Sequence, residues 1–399
     1  MAVYKIFPTK DASVYSLFPE MNTGVDQILD INNLNFNFNA VPAVARALVF
    51  FDNDQLNDVL ENKVGLPTSV AGTGFTGSYA ARIKSYIATA QGINLGEVIE
   101  AYPIVQSWAN GTGTYLDQPL TVNGVSWKYR TPSGSGNVGE WFNQSDFPVR
   151  VTGSYSGSVV GGGAWWTGSS DGKSFDNITQ SFQLKSTKDL DLDITTIVQT
   201  WYSSSFSFAG HDSSISNQGV ILKLTGSSEF NDNINDTPSF QFYSADTHTI
   251  YPPTLEIQWD DYSFDTGSST FNFLNTAEAY VSIDDNPGIF YSESINRFRV
   301  NARPKFPTRV WQTASIYTTQ HYLPSASSYY AIKDLDTNEY VVDFNSTYTK
   351  ISADSTSSYF DIYMNGLQPE RYYKILIQTT VGGSTLVFDD NYSFKVVNG

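Results

Sequence analysis

A chain of 399 residues with a net charge of −17 and only 16% charged residues is poor material for a nucleic-acid or anionic-lipid binder, because a phosphate surface would repel most of it. It contains no Cys, which excludes disulfides and thiolate metal sites. The length suffices for two domains with sizeable cores, and 25 Tyr, 26 Phe and 8 Trp beside few charges favour strands over helices.

The N-terminus, Met1 to Asp11, shows no basic segment followed by an apolar run and a small-residue cleavage site, so synthesis in a cytoplasm without classical secretion is expected. Val3 to Phe7 and Ala12 to Leu17 read as strands, Met21 to Gly24 as a turn, and Gln27 to Ile31 as a further strand. Asn35 to Asn39 alternates with period two, as a half-buried strand or extended loop does. Arg46 to Asp52 is the strongest strand, followed by Asp54 as the expected N-cap of a short helix through about Asn62. The densest apolar run, Ala43 to Phe51, is far short of the ~18 to 20 residues of a membrane span.

Gly65 to Gly77, with four glycines and Pro67, reads as a loop, and strands resume at Ser78 to Ala90 and Glu97 to Trp108. From Trp108 to Arg130 large aromatics bracket Asn110-Gly111, Gly113 and Asn123-Gly124, residues that tolerate positive φ. The stretch therefore predicts a folded loop between two buried anchors, Trp108 and Trp127. Thr131 to Gly139 and Gly153 to Gly172 are so rich in Gly and Ser that surface excursions are expected. Asp189 to Asp193 alternates, and the chain then turns helical with Ile194, Ile197, Val198 and the anchor Trp201 on one face and Asp193 at the N-cap. Gly219 to Thr225 and Thr254 to Trp259 complete the strands of this region.

A polar segment, 263–270, predicts a linker between a domain of residues 1–262 and another of 271–399. Seven short strands follow it, at Ala277 to Ile283, Arg297 to Ala302, Tyr329 to Lys333, Tyr340 to Phe344, Tyr359 to Met364, Tyr373 to Thr380 and Tyr392 to Val397, which suggests an immunoglobulin- or fibronectin-like sandwich. Within it Leu367-Gln-Pro369-Glu-Arg-Tyr-Tyr373 has a spacing that resembles the tyrosine corner of fibronectin type III domains, with Tyr373 as a structural anchor; the alternative is an ordinary turn before a strand. The predicted fold class is all-β, two sandwiches in series.

Several segments of the first ~260 residues, in order, resemble the DNRLRE domain family, a jelly-roll module of surface proteins with some carbohydrate-binding-like members. They are Lys10 to Val14, Arg46 to Phe50, Trp108 to Gly113 with Asn123 to Trp127, Leu192 to Val198 before Trp201, Asn217 to Lys223, Phe242 to Ser244 and Pro252 to Ile257. The chain departs from the family where a charged Ser-Arg-Glu segment is Ser244-Ala245-Asp246 here.

His211, His248 and His321 are scattered, and no nucleophile elbow, phosphate-cradling loop or His-Glu-x-x-His helix occurs. Asp189, Asp191 and Asp193 share one face of a strand and are the weak candidates for Ca²⁺; a solvated acidic edge with one N-cap explains them equally without metal. Asp232 to Asp236 and Asp284 to Asn286 are comparable acidic turns. No cofactor is expected. Trp141, Tyr155, Trp165 and Trp166 lie in or beside glycine-rich segments, where exposed aromatics would dock against a protein neighbour or stack on sugar rings. The composition resembles that of bacteriophage virion proteins. The leading expectation is a non-enzymatic structural subunit of a tailed bacteriophage (tail, baseplate or fibre-associated), made in the host cytoplasm, carried in the virion and present in several copies against other virion proteins. The alternative is a surface carbohydrate-binding or adhesion module. A glycan-cleaving enzyme would need a carboxylate spacing that sequence does not supply.

Overall fold

The computed structural model describes residues 2–34, 43–66, 79–93, 96–132, 139–142, 149–150, 161–170, 173–203, 206–208, 211–213, 215–231, 237–267, 272–284, 286–306 and 321–399. Among the described residues strands take 44% and helices 9%, so the all-β expectation holds. The polypeptide divides into two compact units, Ile6–Glu256 and a second formed by Met1–Lys5 with Ile257–Gly399. Residues 2–5 and 257–262 thus belong with the second unit, whereas the sequence placed them in the first.

The first unit is built on an eight-stranded sheet. In order it holds Thr179–Phe182, Glu97–Pro103, Val220–Leu224, Val44–Phe51, Ile28–Asn33, Ser239–Tyr243 and Ile87–Gln91, with Pro8–Tyr15 paired to Val44–Phe51. Alternation sets which face each side chain takes. Leu29, Ile31, Phe240 and Phe242 are buried on the core side, where Phe182 packs on Phe240 at 4.9 Å. Asp30, Asn32, Ser239 and Gln241 occupy the other side and line a cleft. In a second layer Tyr79–Ser85 pairs antiparallel with Leu190–Asp193.

Two local expectations change. The first helix, Asn53–Asp58, is capped by Asp52, whose carboxylate accepts from Gln55 N at 3.0 Å, and Asp54 lies in the first turn instead. A side-chain carboxylate two residues earlier satisfies one of the orphan N–H groups of the first turn. The run from Ser78 to Ala90 is two strands in different sheets, Tyr79–Ser85 and Ile87–Gln91. The helix Thr195–Ser203 buries Ile197, Val198 and Trp201 as its spacing predicts, with Asp193 accepting from Thr195 N at 3.0 Å. The Asn35 to Asn39 alternation lies outside the described residues.

The second unit has two sheets. One orders Ala279–Ile283, Ile295–Pro304, Ser358–Tyr363 and Ser352–Ala353; the other orders Ile289–Tyr291, Ser393–Val397, Tyr372–Val381, Ser328–Asp334 and Tyr340–Val342, with Ser384–Phe388 on Tyr372–Val381. All seven predicted strands are present. An aromatic column joins the sheets: Phe298 stacks on Phe360 at 5.7 Å, Phe360 on Tyr330 at 4.3 Å, and Phe394 meets Phe298 at 5.6 Å and Tyr373 at 5.8 Å. Tyr373 is buried and its hydroxyl donates to Gln368 O at 3.0 Å, which is the tyrosine-corner bond.

The expected linker is hydrogen-bonded into this unit along its described part. Ser263 N donates to Ser352 Oγ at 3.1 Å, Ala353 N to Ser263 O at 2.9 Å and Asp265 N to Ala353 O at 3.0 Å. Polar side chains made the segment look like a tether, but backbone groups supply this pairing regardless of side-chain polarity.

Candidate functional site

Interior to the first unit is a charged centre assembled from three elements. Arg46 comes from strand Val44–Phe51, Lys223 from the adjacent strand Val220–Leu224, and Glu229 from the short helix Gly226–Glu229. Arg46 Nε lies 2.6 Å from Glu229 Oε1, Lys223 Nζ lies 3.1 Å from Glu229 Oε2 and 3.3 Å from Glu100 Oε2, and Arg46 Nη1 donates to Gly162 O at 2.8 Å. The guanidinium is sandwiched between indoles, 4.7 Å from Trp127 and 5.0 Å from Trp165. Charges taken out of water persist only when paired and hydrogen-bonded in this way.

That centre relocates several residues assigned to the surface by sequence. Trp165 is 5% and Trp141 4% exposed, so neither offers an indole to a neighbour or a sugar; Trp141 Nε1 donates to Ser126 O at 3.0 Å. Trp166, paired through the short strand Trp165–Trp166 with Val149–Arg150, is half-buried, and Tyr155 lies outside the described residues. Gly161, Gly162 and Gly163, expected in a surface excursion, are buried with φ of +130°, +75° and +101°. A Cβ on Gly162 would stand 2.6 Å from Arg46 Nη1 and 2.8 Å from the Trp127 ring. Glycine is thus required there by close approach as well as by φ. Low side-chain bulk, read as inability to bury surface, is what admits the backbone to the core.

The stretch from Trp108 to Arg130 is a folded loop between buried anchors, as predicted. Trp108 is buried and donates from Nε1 to Gln218 O at 2.9 Å, while Trp127 packs on Arg46. What organises the loop is a residue outside it. Asn22, fully buried, donates to Asn110 O at 2.7 Å and Val125 O at 2.8 Å and accepts from Gly113 N at 2.8 Å. This clasp carries Tyr115 to the rim of the cleft, where Tyr115 N donates to Asp26 Oδ2 at 2.9 Å.

The cleft itself has a volume of about 280 Å³ and opens on the polar face of the large sheet. Tyr15, Phe18 and Tyr115 form an aromatic wall, with ring centroids 5.0 Å apart for Tyr15 and Tyr115 and 6.2 Å for Phe18 and Tyr115. The floor is two cross-strand pairs, Asn32 opposite Ser239 and Asp30 opposite Gln241. Asp30 accepts from Tyr15 Oη at 2.5 Å and from Gln241 Nε2 at 3.0 Å. Burial pushes the Asp30 carboxyl above its ordinary range despite those two bonds, and burial together with Asp30 pushes the Tyr15 phenol up. Asn32, only 4% exposed, lines the cleft on the same face as Asp30. The arrangement, an apolar aromatic surface with a few convergent polar groups, is that of a small-molecule or oligomer binding site.

None of these cleft residues was singled out from sequence. The one available signal was the polar pair Asp30 and Asn32 inside the apolar strand Ile28–Asn33; their partners Ser239 and Gln241 lie some two hundred positions away. The acidic candidates have other work. Asp191 pairs with Arg82 at 2.7 Å, Asp193 caps the helix, and Asp189 accepts from Ile87 N at 2.9 Å. Among the described residues no group of three or more His, Asp or Glu is placed to hold a metal, and no helix is long and apolar enough to cross a membrane. Asp232 to Asp236 and Asp285 lie outside the described residues. No protein-family model, curated protein or solved structure matches this chain.

Proposed function

We propose that this chain is a non-enzymatic adhesion and structural protein, and that the cleft of its first unit binds a glycan. The observation that carries this reading is the aromatic wall of Tyr15, Phe18 and Tyr115 beside a polar floor that includes Asn32 and Ser239. Sugar rings present apolar C–H faces for aromatic contact and hydroxyls for amide groups, which is the mixture this surface offers. Affinity electrophoresis of the full chain through gels containing soluble polysaccharides tests it. The wild type is expected to be retarded by at least one of them, and Tyr115→Ala to migrate as in an empty gel. Equal mobility in every gel would sink the reading.

A structural role as a subunit of a tailed-bacteriophage virion is the setting we propose for this binding activity. It is favoured by the second unit's exposed Ile289 and Tyr372, which flank the partly buried Lys395 by strand register, with exposed Tyr291 on the strand face of Ile289. Large exposed apolar and aromatic groups in a row are the material of protein contacts. Mass spectrometry of purified particles from the producing host checks this, and absence of the chain from particles would exclude it.

A further inference from the structure

We infer that the cleft selects uncharged sugar units and rejects uronates and sulfated or phosphorylated sugars; this rests on the glycan reading of the same site. Its lining includes two carboxylates, Asp26 and Asp30, and neither Lys nor Arg. An anionic ring placed there meets like charge with no counter-ion within the lining, in a protein of net charge −17. Recognition of carboxylate or sulfate normally uses Arg or Lys, and the lining has neither; Arg46 and Lys223 are sealed in the interior and already bound to Glu229.

The same geometry argues against a cationic ligand. Both oxygens of Asp30 are occupied, one by the Tyr15 hydroxyl and one by the Gln241 amide. Asp26 Oδ2 is engaged by the Tyr115 backbone. The three aromatic rings pack on one another as a continuous wall and do not surround a central space that would cage an ammonium. Beside Asp26 Oδ1, what stays open to a ligand is neutral: the Asn32 amide, the Ser239 hydroxyl opposite it in register, and the ring of Tyr115, which is 45% exposed. An amide and a hydroxyl donate and accept alike, and that matches sugar hydroxyls. Asn32 is accordingly the specificity-determining residue: replaced by a carboxylate it would lose its donor and add a third negative charge.

The test is isothermal titration of the full chain with three panels. Neutral probes are gluco-, manno- and galacto-oligosaccharides; acidic probes are oligogalacturonate and dextran sulfate; the cationic probe is chitosan oligosaccharide. Binding is expected in the neutral panel only, unchanged between low and high NaCl. Tyr115→Ala at an exposed position and Ser239→Glu at a partly exposed one are each expected to weaken it by about ten-fold or more, with far-UV circular dichroism as the check on folding. Preferential, Tyr115-dependent binding of an acidic or cationic probe would overturn the selectivity while leaving the glycan site standing. Neutral binding that neither substitution alters would overturn the assignment to this cleft. No binding in any panel would remove both the selectivity and the glycan reading.

Discussion

Arg46 Nε and Glu229 Oε1 lie 2.6 Å apart although 183 positions separate them in the chain, and both side chains are sealed from solvent. Burial by itself would raise the Glu229 carboxyl, but Arg46 and Lys223 together outweigh it and hold the group below its usual range. A carboxylate whose folded value is depressed stabilises the fold above its unfolded value, and that contribution is lost as pH falls through the folded one. Glu229→Gln keeps the shape and removes the charge, leaving Arg46 without a counter-ion. We expect it to lower stability by roughly 3–5 kcal/mol at neutral pH, read as the urea midpoint of the first unit. An unchanged midpoint would mean that Gly162 O and the two indoles suffice for the guanidinium.

Asp11 behaves in the opposite sense. It is buried against Ala245 N, which it accepts at 2.6 Å. Burial pushes its carboxyl up to about 7, with Asp246 and Asp26 adding to the rise and the Ala245 bond opposing it. For a carboxyl raised on folding, the stability contribution is complete below the ordinary value of 3.8 and is lost as pH climbs to about 7. Asp11→Asn retains an acceptor for Ala245 N without the charge. It is expected to stabilise the protein by on the order of 2–4 kcal/mol at pH 8 and to do nothing of the kind at pH 3.5. Thermal melts across that range check it, and a gain that is equal at both ends would refute the assignment to Asp11 ionisation.

In the second unit, Tyr373→Phe leaves the ring against Phe394 and removes only the hydroxyl that donates to Gln368 O. The expected loss is about 1–2 kcal/mol, confined to that unit's transition in hydrogen exchange with mass-spectrometric readout. Protection lost from Ile6–Glu256 as well would contradict independent compaction of the two units.

Periodicity and composition were sufficient for the all-β class, for seven of the ten strands described in the second sandwich and for the tyrosine corner, because alternation, turn residues and a Leu-x-Pro-x-x-x-Tyr spacing are local properties of the chain; Ile289–Tyr291, Ser352–Ala353 and Ser384–Phe388 were not read as strands. They also identified Trp108, Trp127 and Trp201 as interior, since large aromatics bracketing Gly-Asn turns or following a helical stripe have few other places to go. Tertiary structure alone decided the rest. Arg46 read as one residue of a strand, and only register beside Val220–Leu224 brings it to Glu229 and turns Gly161 to Gly163 from apparent surface into core. The cleft is of the same kind: Asp30 and Asn32 are polar interruptions of a strand until pairing sets Gln241 and Ser239 opposite them and the Asn22 clasp delivers Tyr115 to their rim. Hydrogen bonds and charges across a sheet are fixed by which strands become neighbours, and strands distant in sequence leave no periodic trace of that choice.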